Sequence, residues 1–403
     1  MESKPLIAIY CNTFPPELSG AAGRVYNLAR LLSQSGYQVQ VICAMPNYPK
    51  GKIFESYRGK WIVQEELDGI RVTRVWMKAS NSFLAWSRGF SMMSFIVALR
   101  TMAYRKVLKQ EPSLVIVSSP PLLMAADVVR YFSRNKCPVL LNVSDIWPLS
   151  ALSLGAVKKR SLFKVLQKKE TEMYERANGF TAQSTEILEH IRAHSTESKP
   201  MMLYRNLPGT INGNTRSSST YSSFQIIYPG VLGHAQGLLE ICRQINFSEL
   251  GVSLDIYGEG PEHAAIESYL KDHADHGIRL LKPVGAAQLS EKLPQYRAML
   301  IPLVSPIQGA VPSKLYTAIF SGLPVLYSGG VEGREIVETN ELGWVSAPGD
   351  MAGIRQNIQA LRNQSESEFL AMKDRILKLS FTEFNKERQD QELLRFIKEL
   401  RLK

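Results

Sequence analysis

The sequence is poor in the residues that build disulfide scaffolds and metal sites. Its 403 residues include four cysteines and six histidines, and no two cysteines are spaced as a CxxC pair. These counts argue against a disulfide framework and a zinc-ribbon site, and they fit a reducing cytoplasm. His190 and His194 stand four residues apart without an evident third ligand, so no metal site is expected.

Long apolar runs are also missing. No stretch approaches the ~18 uninterrupted apolar residues of a membrane span, and the apolar start is too short for a signal peptide. With 45% hydrophobic and 21% charged residues, the composition is that of a folded protein rather than a disordered one. The length exceeds one ordinary core, so two domains of roughly 200 residues are expected.

The charge is distributed unevenly along the chain. Residues 1–205 contain 28 basic and 15 acidic residues, a net charge of +13, whereas residues 206–403 contain 20 and 22, a net charge of −2. The N-terminal half is therefore expected to face an anionic partner such as nucleic acid, anionic lipid or a phosphorylated substrate. No DNA- or RNA-binding motif accompanies the charge, so nucleic acid is not expected.

Apolar strands alternate with helices in both halves, on either side of a Gly-, Ser- and Thr-rich segment at residues 209–223. The first half is expected to hold strands at residues 6–11, 39–44, 114–118 and 139–143, with a helix at 22–35. The second half is expected to hold strands at 225–228, 253–257, 299–303 and 325–327, with helices at 238–245 and 314–321. Apolar strands separated by helices indicate parallel sheets covered on both faces, here two α/β domains with a cleft between them.

A loop of small residues joins the first strand to the first helix. Residues 14–24 read FPPELSGAAGR, and the backbone N–H groups of such a loop can meet an anion. The loop departs from GxGxxG because Leu18 stands where the first glycine would be, so a nicotinamide cofactor is not indicated. A plain tight turn is the alternative. The phosphate-binding motif GxxxxGK[ST] and the hydrolase motif GxSxG are both absent from the sequence.

A lysine is expected at the start of a helix in the second half. Ser313 is expected to cap this helix, which places Lys314 in its first turn. A cation there opposes the helix dipole at a cost of up to ~1 kcal/mol. The conflict disappears if Lys314 and the helix N-terminus together hold a phosphate group. The alternative is an exposed lysine that points away.

Two further polar residues lie where strands end. Asp145 closes an apolar strand at its carboxyl end, where catalytic groups lie in open α/β sheets, although it could instead cap the next segment. His234 lies in a strand-to-helix loop and is the histidine that merits a functional hypothesis.

Two segments are candidates for contact with a membrane or an acceptor. Residues 90–108 are apolar nearly all round, and residues 157–169 combine basic and apolar side chains, a form expected at an anionic bilayer surface. A core helix and a solvated basic face are the respective alternatives. The candidate contacts are Arg100, Lys158, Lys159, Arg160, Lys164 and Lys168.

Several short motifs follow one another in a specific order. They are FPPE at 14–17 with Gly20, PNYP at 46–49, YRG at 57–59, SPP at 119–121, SDIWP at 144–148, residues 230–237, YGEGP at 257–261, PSKLY at 312–316 and GD at 349–350. In this order they resemble the GT-B glycosyltransferases of family 4, particularly bacterial enzymes that build O-antigen and capsular polysaccharides.

The resemblance implies an α/β GT-B fold, with two Rossmann-like domains whose parallel sheets face each other across a cleft. Residues 1–205 would form the acceptor domain, 206–380 the donor domain, and 381–403 a helix packing back towards the N-terminal domain. Enzymes of this family usually retain anomeric configuration without a metal ion or other cofactor. The implied substrates are a UDP- or GDP-linked sugar and a glycan or polyprenyl-diphosphate-linked acceptor, at an anionic membrane surface on the cytoplasmic side of the plasma membrane.

Carried over residue by residue, the resemblance makes Lys314 and Asp145 the catalytic candidates. Lys314 would bind the donor diphosphate, and Asp145 would lie near the acceptor or the reacting centre. The implied donor-binding residues are Gly20, Gly230, Gly233, His234, Gln236, Gly258, Gly260, Val284, Ser313, Lys314 and Thr317.

The sequence departs from the family at two places. The family's phosphate-binding Arg and Lys fall at Val231 and Gln236, which leaves His234 as a substitute. Its Glu-x7-Glu pair falls at Gly309 and Thr317, which implies different recognition of the ribose. The alternative hypothesis is therefore a catalytically degenerate GT-B protein that acts as a membrane-surface assembly factor.

Overall fold

The computed structural model describes residues 4–17, 19–80, 85–104, 106–108, 110–153, 157, 159–209, 224–305 and 307–401. The chain divides into two compact units. The N-terminal unit comprises Met1–Arg205 and Arg388–Lys403, and the C-terminal unit comprises Asn206–Glu387. Lys158 and Leu18 lie outside the described residues.

The N-terminal unit alternates strands and helices. Its strands are β1 (Leu6–Tyr10), β2 (Gln38–Ala44), β3 (Ile62–Leu67), β4 (Ile70–Val75), β5 (Leu114–Ser119), β6 (Val139–Val143), β7 (Gly179–Ala182) and β8 (Met201–Leu203). Its helices are α1 (Gly20–Gln34), α2 (Ala85–Ala98), α3 (Leu122–Arg134), α4 (Leu149–Ser153), α5 (Arg160–Arg176) and α6 (Thr185–Ala193), and α2 continues into a π-helical turn over Leu99–Ala103.

These strands form one sheet in the order β3-β4-β2-β1-β5-β6-β7-β8. The central strand β1 is parallel to both neighbours, with Ile9 opposite Val41 and Ile116. All five of its side chains are buried, because helices cover both faces of the sheet.

Strand β3 departs from the parallel pattern that the sequence predicts. It forms an antiparallel hairpin with β4, with Leu67 opposite Ile70. Its side chains alternate between exposed and partly buried, because an edge strand packs against the core on one side only. The sequence carries this alternation rather than the continuous apolar run on which the strand predictions rested.

The C-terminal unit forms a second sheet, and its described strands are all parallel, in the order β11-β10-β9-β12-β13-β14. The strands are β9 (Gln225–Pro229), β10 (Ser253–Tyr257), β11 (Ile278–Leu281), β12 (Ala298–Pro302), β13 (Val325–Ser328) and β14 (Gly343–Ser346). The helices are α7 (Leu238–Gln244), α8 (His263–Asp272), α9 (Ala286–Lys292), α10 (Ser313–Phe320), α11 (Val331–Thr339), α12 (Met351–Asn363) and α13 (Glu366–Leu379). Separate apolar clusters cover the two faces of this sheet.

The last helix, α14 (Lys386–Arg401), belongs mostly to the N-terminal unit. Leu393, Ile397 and Leu400 are buried in the apolar cluster that also contains the residues of α1. Where the chain leaves and re-enters this unit, the Gln389 side chain accepts from Arg205 N at 2.9 Å and donates to Arg205 O at 3.0 Å.

Candidate active site

The predicted donor residues of the C-terminal unit gather at the carboxyl edge of its sheet. Gly230 directly follows β9, Gly258 directly follows β10, Val284 lies shortly after β11, and the loop after β12 leads into α10. Because these strands are parallel, their carboxyl ends meet at one edge, where open α/β sheets bind ligands. Val284 is partly buried there.

The loops after β9 and β10 are joined by backbone hydrogen bonds. Gly230 N donates to Tyr257 O at 2.8 Å, Leu232 N donates to Glu259 O at 2.9 Å, and Glu262 N donates to Leu232 O at 2.9 Å. These bonds extend the pairing of β9 and β10 beyond the strands, so the two loops form one fixed surface.

Glycine permits this close approach. A Cβ at Gly258 would overlap Gly230 O, and a Cβ at Gly260 would lie 2.6 Å from Leu232 O. Both are backbone atoms of the opposing loop, which cannot move aside as a flexible side chain can. Gly258 and Gly260 therefore set the shape of the loop surface, whichever ligand it meets.

Helix α10 begins one residue differently from the sequence prediction. Pro312, not Ser313, occupies the N-cap position, and no side chain caps the helix there. The restricted backbone of Pro312 (φ −59°, ψ 126°) holds the extended conformation of an N-cap, so Ser313 becomes the first helical residue. The predicted Ser313 cap is thus wrong, and Lys314 is the second residue of the helix.

Lys314 points across to the loop after β9. A Cβ at Gly230 would lie 2.6 Å from Lys314 Nζ, so in this conformation the ammonium occupies space that the absence of a side chain at Gly230 leaves open. Lys314 Nζ also lies 5.0 Å from the centroid of the Tyr228 ring. Within the described parts of the chain, the ammonium makes no hydrogen bond and no ion pair.

Burial lowers the pKa of Lys314 from 10.5 to about 8. Desolvation penalises the charged form, and no carboxylate compensates it among the residues that the structure describes. An ammonium with a lowered pKa, at the positive end of a helix dipole, is an arrangement that an anionic ligand relieves.

The loop after β9 carries the other predicted phosphate contacts. His234 is 73% exposed, and its Nδ1 lies 3.2 Å from Oε1 of the buried Glu262. The second Glu262 oxygen accepts from Leu239 N at 3.4 Å. Gln236 N donates to Gly233 O at 3.0 Å, and a Cβ at Gly233 would lie 2.8 Å from Gln236 Oε1. His234 thus presents its ring to solvent on a tethered turn.

Thr317 lies one turn after Lys314 on α10. Its hydroxyl donates to Ser313 O at 3.3 Å, a bond within the helix. The side chain supplies no carboxylate, so recognition of a ribose by the glutamate of the family pattern is absent at this position.

In the N-terminal unit, Gly20 is the first residue of α1. The Ser19 side chain caps this helix by accepting from Ala22 N, and a Cβ at Gly20 would meet nothing within 4 Å. Buried Glu17 fixes the preceding loop, since its carboxylate accepts from Asn47 N at 2.8 Å and Tyr48 N at 2.9 Å. Gly20 therefore begins a capped helix, with open space where a side chain would lie.

Asp145 lies just past the carboxyl end of β6. Burial raises the pKa of its carboxyl, while a hydrogen bond from the Ser150 hydroxyl and the charge of Arg24 partly oppose that rise. Arg24 in turn donates to Gln183 Oε1 at 3.1 Å. A partly buried carboxyl and a partly buried guanidinium thus lie near each other at the edge of this sheet.

The predicted membrane residues differ in their surroundings. Arg100 is engaged by Asp127, with Nε and Oδ2 3.0 Å apart, so its charge is neutralised locally. Lys159, Arg160, Lys164 and Lys168 are exposed. We call Arg160, Lys164 and Lys168 of α5 the basic stripe.

Exposed apolar side chains lie on two helices of the same unit. On α2, Phe90, Met93 and Val97 are each about half exposed, and we call them the apolar stripe. On α5, Leu162 and Val165 are exposed whereas Leu166 is buried. The opposite face of α2 packs into the core through Phe95 and other side chains, so this segment is at once a core helix and a source of exposed apolar surface.

Sequence reasoning missed three residues that determine the surroundings of the predicted ones. Tyr228 lies against Lys314, Glu262 holds His234, and Arg24 interacts with Asp145. Arg24 belongs to the loop motif at residues 14–24, where no role is predicted for it, and its partner Gln183 is 159 residues away in sequence. No sequence pattern marks such a pair.

The described part of the chain has neither a membrane-spanning helix nor a cluster of metal ligands. None of its helices is long and apolar enough to cross a membrane. None of its clusters of histidine, cysteine, aspartate and glutamate has the three members that could hold a metal ion.

Two family models match the sequence. A glycosyl transferase 4-like domain matches residues 19–206, and a glycosyl transferases group 1 domain matches residues 224–364. No curated protein matches the chain by sequence. Because the two models together span most of its length, the chain belongs to the glycosyltransferase family.

Solved structures with low sequence identity share the fold. Sucrose-phosphate synthase from Thermosynechococcus elongatus has a TM-score of 0.72 at 14% identity, covering 98% of this chain and 99% of that chain. The catalytic domain of starch synthase IV from Arabidopsis thaliana has a TM-score of 0.64 at 12% identity, covering all of both chains. WaaG, a glycosyltransferase involved in lipopolysaccharide biosynthesis, has a TM-score of 0.64 at 13% identity, covering 93% and 95%.

These likenesses confirm the predicted fold class, an α/β protein of the GT-B type with two Rossmann-like domains built on parallel sheets. Together with the family models, they identify the chain as a glycosyltransferase of the GT-B type.

The contact between the two loops can be tested by adding a methyl group. Gly258→Ala places a Cβ onto Gly230 O and should destabilise the protein by ~1–3 kcal/mol, as overpacking does. Gly285→Ala is the control, because a Cβ there meets nothing within 4 Å and the residue has φ −66°. Thermal unfolding of both variants measures the difference, and equal midpoints would contradict the close approach.

Proposed function

We propose that this glycosyltransferase is a retaining, metal-independent enzyme that moves a sugar from a UDP- or GDP-linked donor to a glycan or polyprenyl-diphosphate-linked acceptor in cell-surface polysaccharide synthesis. The observation that carries the donor assignment is the partly buried ammonium of Lys314 at the start of α10, which has no ion-pair partner among the described residues. A nucleoside diphosphate is the leaving group that this charge fits.

Lys314 has a defined part in the proposed reaction. As the bond between the sugar and the diphosphate breaks, negative charge develops on the departing phosphate. The Lys314 ammonium and the free N–H groups of the first turn of α10 stabilise that charge in the transition state. The loop surface shaped by Gly258 and Gly260 holds the nucleotide in position, so little reorganisation is needed.

His234 and Thr317 modify this donor site. His234 takes the place of the family's basic phosphate ligand at the exposed tip of its loop, while Thr317 offers a hydroxyl where the family has a glutamate. Lys314 therefore carries more of the diphosphate charge than in the family pattern.

Asp145 is the proposed catalytic residue on the acceptor side. Its carboxyl has a raised pKa and a fixed hydrogen bond from Ser150, so it can accept a hydrogen bond from the acceptor hydroxyl. Gly20 supports this side by leaving open space at the start of α1.

A peripheral position at the inner face of the plasma membrane is proposed for the N-terminal unit. The basic stripe and the exposed Leu162 and Val165 share helix α5, while the apolar stripe on α2 adds exposed hydrophobic side chains. Basic residues attract anionic headgroups, and apolar side chains insert at the boundary with the acyl chains. WaaG, which has the same fold, is a glycosyltransferase involved in lipopolysaccharide biosynthesis.

One specific observation favours the alternative of an assembly factor without catalysis. The Glu-x7-Glu pair is absent at Gly309 and Thr317, and the Thr317 hydroxyl donates within its own helix. Nucleotide binding discriminates between the two functions, because the assembly factor requires none.

Replacing Lys314 tests the donor site. Calorimetry should show that the full chain binds UDP or GDP, and Lys314→Met should weaken binding at least tenfold through loss of a charge-assisted contact. Free Lys314 loses its proton as the pH rises through about 8, so the affinity should fall as the pH rises above that value. Lys314→Met should remove this pH dependence, while Lys271→Met, at an exposed lysine of α8, should keep it.

Unchanged affinity in Lys314→Met would exclude this lysine from the donor site. Failure of the wild-type chain to bind any nucleotide would overturn the transferase mechanism and leave the assembly role.

Charge reversal tests the membrane proposal. Each basic residue near an anionic bilayer contributes ~1 kcal/mol, so the triple variant Arg160→Glu, Lys164→Glu, Lys168→Glu should abolish flotation with phosphatidylglycerol vesicles. The matched control reverses three exposed charges on α14, at Arg388, Arg395 and Lys398, and should float as the wild type does. Equal loss in both variants, or salt-sensitive binding to DNA in place of vesicles, would contradict the proposal.

A further inference from the structure

A pocket of about 220 Å³, lined by both polar and apolar side chains, lies within the N-terminal unit. It is formed where β1, β5 and β6 reach their carboxyl ends, beside the first turns of α1 and α3. The lining residues are Cys11, Asn12, Thr13, Ala21, Arg24, Val25, Ser118, Pro120, Pro121, Asn142 and Ser144. We call this the Arg24 pocket.

Two polar atoms of the Arg24 pocket lack partners. Asn12 Oδ1 and Ser118 Oγ are buried, and neither has a hydrogen-bond partner among the residues that the structure describes. A buried polar atom left unpaired costs ~1–3 kcal/mol. An amide oxygen accepts from a hydroxyl group, and a serine hydroxyl both donates and accepts. Both side chains therefore have unused hydrogen-bonding capacity, which suits a ligand rich in hydroxyl groups.

Among the described residues that line the pocket, Arg24 is the one with a charged side chain. Burial lowers the pKa of its guanidinium, so this cation is held partly out of water. Its Nη1 donates to Gln183 Oε1 at 3.1 Å, and Gln183 in turn donates to Ser144 O. These bonds fix the guanidinium plane and use one of its nitrogens. No hydrogen bond of Nε or Nη2 to another described residue is present.

The acidic neighbour of Arg24 is engaged elsewhere. Asp145 influences Arg24 through its charge, but its carboxylate accepts a hydrogen bond from Ser150 and makes none with Arg24. Asp145 also lies outside the pocket lining, although the adjacent Ser144 belongs to it. The pocket therefore offers a partly desolvated positive charge beside neutral polar groups and apolar side chains, and residues 1–205, to which its lining belongs, carry a net charge of +13.

We propose that the Arg24 pocket binds a single acidic sugar unit of the acceptor, with Arg24 pairing its carboxylate or phosphate and Asn12 and Ser118 binding its hydroxyls. The pocket is smaller than the ~300–1,000 Å³ typical of sites for larger ligands, which favours one ring over an oligosaccharide. A guanidinium pairs planar oxyanions in a forked geometry that a neutral sugar does not match. This inference rests on the proposed function, because it identifies the class of acceptor.

Ligand-observed NMR on the full chain tests the proposal with three probes: D-glucuronate, glucose 6-phosphate and D-glucose. At least one of the two anionic sugars should bind no less than tenfold more tightly than glucose, and their ratio distinguishes a carboxylate ligand from a phosphate ligand. Arg24→Met should reduce the affinity for the anionic sugar to that for glucose, and Ser118→Ala should weaken the binding of all three sugars.

Arg30→Met is the matched control, since Arg30 is an exposed arginine of the same helix and lies outside the Arg24 pocket. It should bind the anionic sugar as the wild type does. Thermal unfolding verifies that each variant is folded. If Arg24→Met is unfolded, Arg24→Lys is used instead. This variant should lose part of the affinity for the anionic sugar, because lysine keeps the positive charge but lacks the forked guanidinium.

Three outcomes would overturn the proposal: no binding of either anionic sugar, equal binding of glucose, or equal loss in Arg24→Met and Arg30→Met. Binding of the anionic sugar can fail independently of nucleotide binding, on which the proposed function depends. Lys314→Met should bind the anionic sugar normally while losing nucleotide, and a chain that binds nucleotide but no acidic sugar refutes this inference alone.

Discussion

In the C-terminal unit, a partly buried positive charge lies without a counter-charge among the described residues, and the loops around it accommodate that charge. Lys314 meets this condition at the start of α10, where the helix dipole adds to the cost of its charge. Gly230 gives the ammonium room, and the Tyr228 ring lies beside it. Keeping this charge without a partner lowers the stability of the folded protein, and binding of an anion offsets that loss. The charge therefore links a local loss of stability to anion binding.

The surrounding backbone is arranged to keep that ammonium in place. Hydrogen bonds join the loops after β9 and β10, and the glycines at 258 and 260 let the two backbones approach. Glu262 extends the same surface by holding His234. The N-terminal unit has a similar arrangement, because Arg24 and Asp145 are both partly buried and each is oriented by a neutral side chain, Gln183 and Ser150 respectively.

The sequence predicted the core of the fold well, because buried parallel strands such as β1 and β6 have continuous apolar sequences. Strand β3 was missed because an edge strand with one covered face alternates instead. The Ser313 cap was wrong because the fixed backbone of Pro312 takes the N-cap position. The pairing of Arg24 with Gln183 joins residues that only the folded sheet brings together. The position of Lys314 at a helix start was predictable, whereas its contact with Tyr228 was not.

The most direct test is the titration of the Lys314 side chain by NMR in the full chain labelled with ¹³C-lysine, with Lys314→Met used for assignment. Without ligand, Lys314 should titrate with a pKa of about 8, because burial disfavours its charged form. Saturating UDP or GDP should raise that pKa, because a nearby anion favours the charged ammonium. An ordinary lysine titration that nucleotide leaves unchanged would contradict this prediction.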